Sequence, residues 1–159
     1  MDILFSLFLF FAPPPLPAAP SSDCDSYIVG FRGLNRAFDQ PAFDQYADQR
    51  GSCSLVYDYT EADLAVQFVD TVTEPYELYG YSAGAVAVGQ VLRQARRLPS
   101  YVITVGALAS VDVNFARYGV RFDNWFDESG RGSRSPGRYI PRVSHDRIQA
   151  YINRNSVDV

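Results

Sequence analysis

A chain of 159 residues with 47% apolar and 20% charged residues has the length and make-up of one folded domain, not of a disordered or fibrous chain. Eighteen acidic against 14 basic residues leave a formal charge of −4, so the basic footprint of a non-specific nucleic-acid binder is missing. Every basic residue is arginine, which excludes a lysine nucleophile, a Schiff base or a P-loop lysine; one histidine and two cysteines are too few for a four-ligand zinc site of the usual kind, and no metal is expected.

Ile3 to Ala12 reads ILFSLFLFFA. Such a run is half the length of about 20 residues that a membrane-spanning helix needs, and it suits the core of an export signal. Pro13, Pro14 and Pro15 stop any helix there, and Ala19-Pro20-Ser21 offers a small-x-small cleavage site. Residues 1–21 are therefore read as a signal peptide or apolar leader and 22–159 as a single domain of a secreted or exported protein. The alternative for the leader is an apolar arm packed on a partner. Cys24 and Cys53 bear on the same question. Both lie just ahead of predicted strands, and parallel neighbouring strands would bring the thiols to one sheet edge, where a bridge can form. Two small free thiols in the core are the other reading.

From Tyr27 onward, short apolar runs alternate with helical stretches. Tyr27–Phe31, Ser54–Tyr59, Tyr76–Tyr81, Tyr101–Gly106 and Val120–Phe126 read as five strands. Ala42–Asp48 forms a short helix. Thr60 caps a second, in which Leu64, Ala65, Phe68, Val69 and Val72 share one face. Ala83–Leu98 is the longest and ends at Pro99; Asp146–Arg154 closes the chain, with Ser144 as its expected N-cap. Strand–helix alternation predicts an α/β fold, a parallel sheet in the order 2-1-3-4-5 with helices on both faces. Ligands of such sheets gather at the carboxyl ends of the strands beside the switch in strand order, which points to the loops after Phe31 and Tyr81.

The second of these loops reads Gly80-Tyr81-Ser82-Ala83-Gly84. This is the G-x-S-x-G pattern of a nucleophile elbow. Its serine sits on a sharp strand-to-helix turn, its flanking residues are small so that chain can pass close, and the helix N-terminus favours developing negative charge. A plain tight turn is the bland alternative.

With this elbow, the GFRG loop at Gly30-Phe31-Arg32-Gly33 and a late histidine, most of Tyr27–Tyr151 resembles the α/β-hydrolase superfamily in its small lidless form, similar to cutinases and compact lipases or esterases. The resemblance implies a minimal three-layer sandwich and cofactor-free ester hydrolysis with catalytic residues in the order Ser82, an aspartate, His145. It also implies an oxyanion hole from backbone N–H groups of Ala83 and of Phe31 or Arg32. The family's histidine ahead of that loop is replaced by Val29, but a backbone donor is what the chemistry needs.

His145 is the sole histidine, so it and Ser82 stand or fall together as base and nucleophile. Asp127, at the end of the fifth strand, is the expected acid; Asp112 is the runner-up, and a carbonyl or amide could orient the imidazole instead. Asp123 lies about 13 Å down its strand at 3.3 Å per residue, too deep to reach. The run Ser129–Arg142 carries Arg131, Arg134, Arg138 and Arg142. It reads as a mobile loop beside the site, either touching an anionic or lipid surface or simply solvated.

The sequence thus supports a serine esterase or lipase acting on small-molecule, lipid or polyester acyl substrates through an acyl-enzyme. A non-catalytic binding protein of hydrolase-like fold is the alternative. A flavodoxin-like phosphate binder is the weakest rival, since lysine and any G-x-G-x-x-G are absent.

Overall fold

A computed structural model describes residues 23–107, 110–127 and 137–155. The leader expected over 1–21 lies outside them, as does the loop from 128 to 136 with Arg131 and Arg134. In chain order the elements are β1 (Tyr27–Phe31), α1 (Gln40–Gln49), β2 (Cys53–Tyr57), α2 (Ala62–Thr71), β3 (Tyr76–Tyr81), α3 (Gly84–Gln94), β4 (Tyr101–Val105), β5 (Phe122–Phe126), β6 (Arg138–Tyr139) and α4 (Ile148–Asn155). All strand pairs are parallel, in the order β2-β1-β3-β4-β5-β6. The five expected strands keep their order, and a sixth is added at the edge. Arg138 and Tyr139 pair with Trp125 and Phe126, and Ile140 N–H donates to the Phe126 carbonyl at 2.9 Å. Two residues in a Gly- and Pro-rich run carry no period of their own; the open edge of β5 organises them.

β1 is buried at every position, as a strand covered on both faces must be. Its alternate residues feed two cores. Tyr27, Val29 and Phe31 join Leu78, Val102, Val88 and Val91 under α2 and α3. Ile28 joins Phe43, Tyr79, Tyr81, Ile103, Val105, Ile148 and Ile152 under α1 and α4. The helices differ from expectation at their ends. α1 starts earlier, because the Asp39 side chain accepts from Ala42 N–H at 3.1 Å and Pro41 suits the first turn. Thr60 does not cap α2. Glu61 stands at that position, with its carboxylate turned back to Asp58 N–H at 2.8 Å. α3 stops at Gln94, four residues short of Leu98. There the Asp70 carboxylate takes Arg96 N–H at 2.8 Å and the Arg97 guanidinium reaches the carbonyls of Val72 and Glu74, so tertiary partners divert the chain. Ser144 is not the N-cap of α4, which begins at Ile148 after a turn closed by Arg147 N–H on the Ser144 carbonyl.

Cys24 and Cys53 form a disulfide with their Cα atoms 5.8 Å apart. Cys53 is the first residue of β2 and is paired with Tyr27, so the bridge ties β1 to β2 at their amino ends. No helix among the described residues is long and apolar enough to cross a membrane.

Candidate active site

At the opposite, carboxyl end of the sheet, β3 turns into α3 through Ser82. Its φ is +52°, a left-handed conformation that a non-glycine residue holds only under constraint from its surroundings. The constraint is visible: Ser82 N–H donates to the Val105 carbonyl at 2.9 Å, and Ala85 N–H closes the turn on the Ser82 carbonyl at 3.1 Å. Gly84 has no room for a side chain, since a Cβ there would collide with the Phe31 carbonyl. Gly84 is thus required by the packing of β1 on the elbow, and Gly80 by the close approach of Ala85 and Val88 of α3.

Ser82 Oγ lies 3.0 Å from His145 Nε2, and His145 Nδ1 lies 2.6 Å from Asp127 Oδ2. With its proton on Nδ1, the imidazole donates to Asp127 and accepts from the serine hydroxyl, the arrangement a general base needs. Asp127 is 1% exposed, Ser82 6%, and the His145 side chain 34%, so the acid is sealed beneath the ring and the histidine forms the solvent side. The other carboxylates are engaged elsewhere. Asp112 accepts from Asn114 N–H at 3.0 Å and from Arg117 at 3.2 Å, and Asp123 accepts from the Tyr101 hydroxyl.

Two residues outside the expected set hold the histidine. The Tyr81 ring stacks on the imidazole with centroids 5.2 Å apart, and its hydroxyl donates to the His145 carbonyl at 2.8 Å. Burial pushes that hydroxyl up to about 12, so it remains a donor at any ordinary pH. Gly106 also borders the ring: it has a φ of +65° and donates its N–H to the Trp125 carbonyl at 2.7 Å, and a Cβ there would stand 3.1 Å from His145 Cε1. Tyr81 was hidden as one more apolar residue of a strand. A glycine closing β4 at the ligand-binding edge was the available signal for Gly106.

The expected oxyanion donors divide. Ala83 N–H, at the start of α3, has no acceptor among the described residues. Arg32 N–H is not available in this arrangement, because it donates to the Tyr57 carbonyl at 2.9 Å and so continues the β1–β2 ladder. Phe31 lies within β1, paired with Tyr57 and Gly80, and meets the elbow through its carbonyl. Gly33 N–H is taken by Ala37, and the next N–H, of Leu34, has no acceptor among the described residues. Leu34 to Ala37 form a tight turn closed by Ala37 N–H on the Leu34 carbonyl, with Asn35 and Arg36 at φ +55° and +59°. Positive φ at both central residues is the type I′ geometry, and Asn35 was its sequence cue. Asp58 holds the turn through Arg36 at 3.2 Å and Arg32 at 3.6 Å. A Cβ on Gly33 would stand 3.4 Å from Ser82 Oγ, so this turn abuts the serine.

Among the described residues no group of three His, Cys, Asp or Glu side chains is placed to hold a metal ion. No family model matches the chain, and no curated protein matches it either.

Proposed function

We propose that the protein is a serine hydrolase of the α/β-hydrolase type, cleaving carboxylic esters through Ser82, His145 and Asp127. The observation that carries this reading is the hydrogen-bonded line Ser82–His145–Asp127 built on a strained serine between a strand and a helix. In the mechanism, His145 Nε2 takes the Ser82 proton as the oxygen attacks the ester carbonyl. The carbonyl π electrons move onto its oxygen, which the N–H groups of Ala83 and Leu34 receive. Collapse expels the alcohol, which takes its proton from the imidazolium, and leaves an acyl-serine. Water attacks that ester with His145 again as base, releasing the acid and restoring the serine. Asp127 holds the tautomer and stabilises the imidazolium. No cofactor is needed, and the substrate is a small-molecule, lipid or polyester ester.

A disulfide fits an oxidising compartment, and with the apolar leader it supports export of the protein. One observation favours the second reading, a non-catalytic binder: Ser82 is only 6% exposed. A fluorophosphonate probe separates the two. Tagging of Ser82 in the folded protein, with hydrolysis of p-nitrophenyl butyrate falling by at least about 10³-fold in Ser82→Ala, is the expected result. Turnover retained in that variant, or folded protein that resists the probe, removes the enzyme.

A further inference from the structure

α4 and the loop leading into it bear a second concave surface. A half-open groove of about 710 Å³ is lined by Arg142, Arg147 and Arg154, by the Tyr151 ring, and by the aliphatic surfaces of Val143 and Ala150. Arg147 in the turn just ahead of α4 and Tyr151 and Arg154 on its outer side follow one another at helical spacing, while Ile148, Gln149 and Ile152 face the core.

The charge pattern of the groove is unlike that of most other described arginines. Arg32 and Arg36 share Asp58, Arg50 holds Glu77, Arg96 holds Asp70, and Arg117 holds Asp112. Arg97 is spent on backbone carbonyls. The three guanidinium groups of the groove have no ion-pair partner among the described residues. One carboxylate, Asp146, stands near Arg147, and it is already hydrogen-bonded by Ser144. Among the described residues three cations face one acid, a local positive excess in a protein of net charge −4 that an entering anion would relieve.

We propose that this groove binds a small amphiphilic anion, a phosphate or carboxylate head group on an alkyl chain. The guanidinium groups supply forked donors for the head group. Val143, Ala150 and the Tyr151 ring supply the apolar wall, which a simple inorganic ion would leave wet. A neutral chain would leave the cations unpaired. The groove is concave and of the volume that small-molecule sites occupy, so the occupant is a single molecule rather than a membrane plane or a polymer. Its rim includes Ser144, one residue from His145. On the ester-hydrolase reading, the groove therefore selects acyl substrates or products that carry a negative charge, but the binding itself does not depend on that reading.

Calorimetric titration with decyl phosphate, below its micelle concentration, is the test. One site is expected, with at least tenfold weaker binding of decanol and of inorganic phosphate. Arg147→Gln/Arg154→Gln should weaken decyl phosphate at least tenfold while its circular dichroism stays unchanged. Arg142→Gln alone should weaken it to a smaller degree, and Ser82→Ala should bind as the parent does. No binding by the parent protein, equal binding by the double variant, binding only to phosphatidylglycerol vesicles, or equal affinity for a poly-glutamate peptide would each overturn the proposal. Ester hydrolysis lost with the groove intact, or the reverse, tells the two readings apart.

Discussion

The two faces of the sheet are built from the same strands and do different work. Under α2 and α3 the core is the larger one, with Val29, Leu78, Val88, Val91 and Val102 packed among Tyr27, Phe31, Phe68 and Phe115 and the disulfide at its margin. Under α1 and α4 a cluster of rings sits among Ile28, Ile103, Ile148 and Ile152 and is wired with polar bonds. Phe38 and Phe43 pack on Tyr79, Gln149 donates to the Tyr79 hydroxyl and accepts from Asp39 N–H, and Tyr81 grips His145. Apolar packing is non-directional and supplies stability. Rings and hydrogen bonds fix orientation, and this is the face against which the candidate base is held. The difference teaches that stability and positioning can be assigned to opposite sides of one strand, since Leu78 and Tyr79 are neighbours pointing opposite ways.

Substitutions can break or sharpen this division. The largest effect is expected at Asp127. Asp127→Asn should lower kcat for ester hydrolysis by about 10⁴-fold, because the amide favours the wrong imidazole tautomer. A rate close to that of the parent would show that the face holds nothing catalytic.

Gly106→Ala comes next. The left-handed backbone costs a side chain about 1 kcal/mol. The new methyl meets the imidazole at 3.1 Å. Displacing the ring should cost about 10²-fold in turnover, well beyond the loss of stability followed by urea unfolding.

The opposite signature belongs to the other face. Cys24→Ser/Cys53→Ser opens a loop of sequence separation 29. It should lower unfolding free energy by about 3 kcal/mol. Val91→Ala, at a site of 0% exposure, should lower it by about 2 kcal/mol. In both, turnover per folded molecule should stay as it was; a fall in kcat would merge the two faces into one functional unit.

Tyr81→Phe is the finer probe. It keeps the stack and removes one hydrogen bond worth about 1 kcal/mol, so a loss of about fivefold should appear in kcat and not in KM. The buried tyrosine hydroxyls make stability insensitive to pH near neutrality and sensitive to it in alkali. Burial raises the hydroxyls of Tyr76 and Tyr81 from the ordinary 10.0 to about 12, and those of Tyr46, Tyr79 and Tyr101 further still. The stability they contribute is complete below pH 10 and is lost as pH rises from 10 to about 12, since the unfolded chain releases these protons first. Tyrosinate absorbance that develops together with loss of near-ultraviolet dichroism is expected; smooth titration of every tyrosine near pH 10 in a folded protein contradicts it.

Local pattern determined a good deal of this protein. Apart from Glu77 and Thr104, the runs from Tyr27, Tyr76 and Tyr101 carry no polar side chain other than tyrosine hydroxyls, which commits them to strands covered on both faces, and glycines at 80 and 84 around Ser82 announce a turn that only tight packing needs. One histidine and an aspartate at the end of β5 left few ways to complete a hydrogen-bonded line from Ser82. Tertiary structure decided what distance in sequence conceals. It chose Asp127 over Asp112, because the end of β5 faces the loop of His145 while Arg117 captures the other acid. It spent the Arg32 N–H on the sheet and moved the free donor to Leu34, since ladder hydrogen bonds run one residue beyond the apolar run. It recruited Tyr81 and Gly106, and drew β6 from a run with no period. Periodicity encodes which side of an element is buried; which partner each buried or polar group meets is fixed only when distant segments close on one another.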